Sequence, residues 1–218
     1  MLKLYGFSVS NYFNMVKMTL LEKGIPFEIV TTLPSQEEEY LAKSPRGKVP
    51  CLGTERGFIN ETDAILDYIE ETQSGPALLP SDPYDRAVTR SLMKEIELYI
   101  ELSARLCIGE VIRGTRLPEA IRDRARDELK HGIATLKRHG KFAPYLAGES
   151  FTLADIVFLH TIDYAAMVAQ TSFDFDLLAE LPQAVELLAM LKQRPHAISV
   201  EADRAEAMGA FIAKMRAG

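Results

Sequence analysis

Two short stretches of this chain carry residue types suited to binding chemistry: Lys48-Val49-Pro50 and, a little further on, Glu61-Thr62-Asp63-Ala64-Ile65. A proline after Val49 cannot donate to a sheet ladder. It can adopt a cis peptide bond in a tight turn and start a strand. That arrangement turns the Val49 backbone outward, with its N–H and C=O free to pair with an extended peptide. Glu61-Thr62 stands where a strand carrying Phe58 and Ile59 ends and a helix begins. Helix N-termini present unpaired N–H groups and favour anions such as a carboxylate. The pair therefore predicts a backbone clamp for a peptide beside a carboxylate socket.

Elements able to position these residues occupy the first third of the chain. Leu2 and Leu4 alternate with Lys3 and Tyr5 as in a half-buried strand. Ser10 and Asn11 offer N-cap chemistry, and Phe13, Val16 and Leu20 recur at helical spacing until Lys23-Gly24 and Pro26 stop the helix. Phe27 to Val30 reads as a second strand and Glu37 to Ala42 as a short polar helix. Val49 to Leu52 and Gly57 to Ile59 form a hairpin across Thr54-Glu55-Arg56, and Ile65, Leu66, Tyr68 and Ile69 face a closing helix. The order β-α-β-α-β-β-α is that of a thioredoxin-like domain, assigned to residues 1–76.

Gly75-Pro76, Pro80 and Pro83 mark a linker at 77–84. The remainder, 85–218, reads as all helix. Asp85 to about Gly114 carries Val88, Leu92, Ile96, Tyr99 and then Leu106 on one stripe. Pro118 and Pro182 fit first helical turns, Arg194-Pro195 stops a helix, and a last one runs from about Ala202 to Met215. Thr152-Leu153-Ala154-Asp155 is a capping box with Phe151 and Ile156 as its staple, and the apolar run Ile156 to Leu159 marks a central, buried helix. The box is a folding device, and His160 within that helix is a core histidine.

The bulk properties exclude several classes. The chain has 218 residues and a net charge of −6, with no Lys/Arg-rich run to serve as a nucleic-acid footprint. No apolar run approaches a membrane span, and Met1 to Tyr5 is no signal peptide. Cys51 and Cys107 form no Cys-x-x-Cys pair, and the four histidines have no metal-type spacing. Free cysteines suit a reducing, cytoplasmic location.

With Lys48-Val49-Pro50, Glu61-Thr62, the Pro-rich linker and the Thr152–Asp155 box preceded by Tyr145-Leu146-Ala147-Gly148, the whole chain resembles the soluble, bacterial-type glutathione transferases. The resemblance implies a thioredoxin-like glutathione-binding domain followed by an all-helical electrophile-binding domain. It implies that Val49 binds the cysteinyl backbone of glutathione and that Pro50 is cis. Glu61 and Thr62 would hold the γ-glutamyl end, and Lys48 would reach a glutathione carboxylate or stand as a solvated loop cation. The co-substrate is glutathione, with no metal.

Such enzymes lower the pKa of the glutathione thiol, because the thiolate is the nucleophile. Counted back from the first helix, Ser10 falls where serine-type members keep their serine, and Gly6 where tyrosine-type members keep their tyrosine. Ser10 is the expected catalytic residue, or only the helix cap; Asn11 and Tyr12 are the other thiol contacts. The absence of cysteine from this loop disfavours the glutaredoxin-like members. Asn11 and Met15 stand where isomerase-type members carry a second serine and an arginine, which favours thiol transfer. Tyr99, Leu106 and Arg113 are the expected electrophile contacts, beside the alternative of packing or surface roles. The resemblance implies a homodimer, a small hydrophobic electrophile as second substrate, and detoxification. The alternatives are a binding or regulatory relative with little catalysis, and a glutathione-dependent isomerase.

Overall fold

The computed structural model describes residues 1–217. In the first part, β1 (Leu2–Gly6), α1 (Asn11–Glu22), β2 (Phe27–Thr31), α2 (Glu38–Leu41), β3 (Cys51–Thr54), β4 (Gly57–Asn60) and α3 (Thr62–Thr72) follow in chain order. The strands form one sheet in the order β2-β1-β3-β4, with β1 parallel to β2 and antiparallel to β3. This is the expected βαβαββα thioredoxin-like arrangement. Strand β3 begins at Cys51 rather than Val49, and its hairpin turn is confined to Glu55-Arg56. Pro50 cannot extend the ladder because it has no N–H to donate.

Helices α1 and α3 pack on each other and on the sheet. Leu4 and Leu52 from the strands meet Phe13, Val16 and Leu20 of α1 and Ile65, Leu66 and Ile69 of α3, all fully buried. Each such side chain contributes roughly 1.5–3 kcal/mol through burial. An ionic tie supplements this core. The buried Lys23 ammonium donates to Glu70 at 2.9 Å and to the Pro76 carbonyl at 3.0 Å, while the other Glu70 oxygen accepts from the Leu78 N–H at 2.9 Å. One carboxylate thus fastens the segment after α3 to the end of α1.

The remaining helices are α4 (Pro83–Glu95), a π-helical segment (Ile96–Glu101), α5 (Leu102–Arg113), α6 (Glu119–His139), α7 (Leu153–Phe173), α8 (Pro182–Leu191) and α9 (Pro195–Ala217). Residues 1–78 and 195–209 form one compact unit; 79–194 and the described residues from 210 to 217 form another. The start of α9, expected with the helical half, therefore groups with the sheet. Lys17 of α1, buried, pairs there with Asp203, and Ala197 and Val200 are buried.

Three helix boundaries differ from the sequence expectation, each at a proline. Pro83 opens α4 two residues earlier, behind Asp82, whose carboxylate accepts from the Tyr84 and Asp85 N–H groups at 2.9 and 3.0 Å. Pro195 opens α9 rather than merely ending α8, and Pro118 stands just before α6. Proline is compatible with a first helical position, where its missing N–H would have had no partner. The buried stripe of α4 and α5 also departs from the expected one. It runs Leu92, Ile96, Ile100, Ala104, Cys107, whereas Tyr99 and Leu106 are exposed. The four-residue steps from Leu92 to Ala104 exceed the 3.6 of an α-helix, and the wide π turn supplies the difference; the last step, to Cys107, is three.

The first two turns of α7, from Leu153 to Leu159, are buried on all faces, Asp163 and Met167 further along are exposed, and the capping box is formed. Asp155 accepts from the Leu146 N–H at 2.8 Å, the Thr152 N–H at 2.8 Å and the Thr152 hydroxyl at 3.2 Å. Burial nevertheless pushes its carboxyl up to about 6 from the ordinary 3.8, outweighing these bonds. The folded state therefore holds this proton more tightly than the unfolded chain. The stability from that difference is full below about pH 4 and is lost as pH rises through about 6. Two pKa units correspond to about 3 kcal/mol. Urea melts across this range should show that decline in the wild type and lack it in Asp155→Asn; parallel pH dependences in both proteins would contradict the assignment.

Candidate functional site

Strand register brings three segments to one end of the sheet. Tyr5 pairs with Cys51, and Cys51 with Asn60. The loop after Gly6, the Val49-Pro50 turn before Cys51, and Glu61-Thr62 after Asn60 therefore leave or enter neighbouring strands side by side. With strands about 4.8 Å apart, these three strand ends span about 10 Å.

In the first segment, Gly6 has φ +154°, and a Cβ there would lie 2.4 Å from a Phe13 ring carbon. The position where tyrosine-type relatives would carry a side chain is thus closed by Phe13. Tyr5 packs edge-on against Phe58 instead. Ser10 is the N-cap of α1, its hydroxyl oxygen accepting from the Phe13 N–H at 3.3 Å. Capping uses a lone pair and leaves the hydroxyl proton available to donate, so the two roles considered for Ser10 are compatible. Asn14, which the sequence reading passed over, is fully buried and donates to the Ser8 carbonyl at 2.8 Å, fixing the loop. Asn11 and Tyr12 begin α1, whose first turn has no acidic residue to offset its positive end.

In the second segment, Val49-Pro50 is a cis peptide. Pro50 is buried, Val49 half-buried and Lys48 exposed. Among the described residues, neither Val49 N–H nor Val49 C=O makes a hydrogen bond. The Lys48 carbonyl accepts from the Tyr40 hydroxyl at 2.9 Å and the Ser44 hydroxyl at 2.9 Å. Neither residue stands out in the sequence, because each matters only through the tertiary position of α2 and the turn after it.

The third segment is strained. Glu61 has φ +65° and ψ 123°, a left-handed conformation for a residue with a Cβ, which costs roughly 1–3 kcal/mol. It precedes α3 without capping it through its side chain. Thr62, the first residue of α3, is 8% exposed. The Glu61 side chain therefore does not satisfy the N–H groups of this helix end.

The other expected residues belong to the second unit. Tyr99 on the π-helical segment is 44% exposed, Leu106 of α5 is 55% exposed, and Arg113 ends α5, also exposed. A groove of about 300 Å³ lies at the β3–β4 hairpin, lined by Thr54, Arg56, Gly57, Phe58, Ile59 and Tyr68, and includes none of the expected site residues. The Cys51 thiol, next to Pro50, is pushed up to about 11 by burial and stays protonated near neutrality. Among the described residues, no group of three His, Cys, Asp or Glu side chains is placed to hold a metal, and no helix is long and apolar enough to cross a membrane.

Comparison with known proteins bears on the family and the fold. Residues 4–77 match the family model for the glutathione S-transferase N-terminal domain, and 119–189 that for the C-terminal domain. A glutathione S-transferase of Pseudomonas putida is 54% identical over 218 residues, covering 100% of this chain and 99% of its own. Glutathione transferase F2 of Populus trichocarpa superposes with a TM-score of 0.80 at 21% identity, over 94% of this chain and 100% of its own. A maleylacetoacetate isomerase from Methylobacterium extorquens, solved with bound malonate and glutathione, gives a TM-score of 0.71 at 26% identity, over 93% and 97% of the two chains. With one relative matching over the whole length and both domain models matching in order, the chain belongs to the glutathione S-transferase family.

Proposed function

We propose that this enzyme joins the thiolate of glutathione to small hydrophobic electrophiles in the cytoplasm, a detoxifying reaction. The observation that carries the reading is the convergence, at one sheet end, of an unpaired Val49 backbone and an α3 N-terminus that its own N-cap side chain leaves open. Val49 pairs with the cysteinyl backbone of glutathione. Glu61 holds the γ-glutamyl ammonium, and Thr62 its carboxylate through hydroxyl and N–H. Lys48, exposed beside Val49, attracts the glycyl carboxylate.

Anchored at both ends, the peptide presents its sulfur to the start of α1. There the Ser10 hydroxyl donates to the thiolate, and the positive end of the helix adds to the stabilisation. Asn11 and Tyr12 flank the sulfur. The thiol proton leaves to water, the sulfur lone pair forms the new bond to the electrophilic carbon, and the displaced electrons go to the leaving group or the conjugated acceptor. Lowering the thiol pKa by two units takes about 2.7 kcal/mol, within reach of one charge-assisted hydrogen bond and a helix terminus. Tyr99, Leu106 and Arg113 are proposed as electrophile contacts, supported by their exposure. Transfer is favoured over isomerisation because Asn11 has no serine hydroxyl and Met15 is buried in the core. The free, buried Cys51 and Cys107 fit a reducing compartment. The resemblance also supports a homodimer, for which light scattering should give twice the chain mass; a concentration-independent monomer would contradict it.

Calorimetric titration with glutathione should show saturable binding, and a panel of electrophiles should include substrates. Failure to bind at millimolar glutathione would favour a binding or regulatory protein. Ser10→Ala should lose about 1 kcal/mol of stability with the cap yet keep its glutathione affinity. Its turnover near neutral pH should fall roughly 10- to 1000-fold and recover in part at higher pH, where hydroxide supplies the thiolate. Ser10→Thr should retain most activity, and Tyr12→Phe should be mild. Should Tyr12→Phe raise the bound thiol pKa while Ser10→Ala leaves it unchanged, the chemistry belongs to Tyr12.

A further inference from the structure

Resting on that reading of the site, we infer that Tyr40 and Ser44 form a positioning pair that aims the Val49 N–H at the glutathione backbone. One peptide joins the Lys48 carbonyl to the Val49 N–H. It is trans, the described cis bonds being Val49-Pro50 and Ala143-Pro144. In a planar trans peptide the C=O and N–H point in opposite directions. Whatever holds the Lys48 oxygen therefore also fixes where the Val49 N–H points.

Two hydroxyls hold that oxygen, Tyr40 Oη at 2.9 Å and Ser44 Oγ at 2.9 Å. The Ser44 oxygen also accepts from the Lys48 N–H at 3.1 Å, so Lys48 is gripped on both sides. The turn that carries Ser44 is itself anchored to the sheet. The Lys43 carbonyl accepts from Asn60 Nδ2 at 3.0 Å and from Cys51 Sγ at 3.5 Å. Gly47, with φ +63°, allows the close return of the chain, since a Cβ there would lie 2.0 Å from the Ser35 oxygen. Tyr40, Ser44, Asn60 and Cys51 thus connect the clamp to strands β3 and β4.

The arrangement has an electronic consequence as well as a geometric one. A carbonyl that accepts two hydrogen bonds polarises its peptide and strengthens the opposite N–H as a donor. Burial pushes the Tyr40 phenol up to about 12, with Cys51 and Tyr5 adding to the rise. Tyr40 therefore remains a donor over the whole range in which the glutathione thiol titrates. The pair acts on peptide binding and has no part in the ionisation that drives transfer.

The test is glutathione titration calorimetry and steady-state kinetics on the full-length protein and on Tyr40→Phe, Ser44→Ala and the double variant. Each single change should weaken the glutathione Kd and raise its KM roughly 3- to 10-fold, and the double roughly 10- to 100-fold. At saturating glutathione, kcat and its pH profile should stay as in the wild type, and Ser44→Thr should restore the affinity. Tyr40→Phe removes a single oxygen, so it serves if Ser44→Ala does not fold. A wild type that binds and variants that fold with an unchanged Kd would overturn the positioning role, as would a loss of kcat without a change in KM. A wild type that does not bind glutathione overturns the reading of the site itself, and the pair's role with it.

Discussion

The structure depends first on the hydrogen-bonded register of three strands. Because Tyr5, Cys51 and Asn60 stand side by side, the residues just beyond them share one end of the sheet. A slip of one residue would turn every side chain of β3 to the opposite face, removing Leu52 from the core against α1 and α3 and leaving Cys51 or Gly53 in its place. Burial of Leu4 and Leu52 against α1 and α3 therefore enforces the same register that aligns the loop, the clamp and the socket. Core packing and ligand geometry are two results of one constraint.

The site divides labour between backbone and side chains. In the proposed site the backbone of Val49 and the end of α3 do the binding, and they tolerate variation in the side chains they carry. Glu61 adopts its unfavourable φ between β4 and the start of α3, two elements fixed by the core, so the surrounding fold determines its conformation. On the proposed mechanism Ser10 serves fold and chemistry through different parts of one hydroxyl: its lone pair caps α1, and its proton is left for a thiolate. Replacing it therefore perturbs stability and reactivity together, and only the dependence of rate on pH separates them.

Much of this was legible in the sequence because the signals are local. A proline after valine, a helix start at Glu61-Thr62, a cap at Ser10 and the Thr152–Asp155 box each express their physics within four residues. The strand and helix order followed from periodicity over slightly longer windows. What the sequence did not disclose depends on distant partners. Tyr40 reads as one apolar position in an acidic helix, yet its hydroxyl reaches Lys48. Asn14 reads as a polar residue on a helix face, yet it is buried and holds Ser8. The π turn at 96–101 leaves no compositional mark, so helical spacing points to Tyr99 where the structure buries Ile100. Pro83 and Pro195 have the sequence signature of breakers, yet each opens a helix.

The central claim is that the Val49 backbone and the first turn of α3 form one peptide-binding edge. Amide nitrogen–proton correlation spectra recorded during a glutathione titration test it most directly. The Val49 and Thr62 N–H resonances should move furthest and saturate together with one dissociation constant. Shifts concentrated elsewhere in the chain, with those two amides unmoved at saturation, would contradict the account.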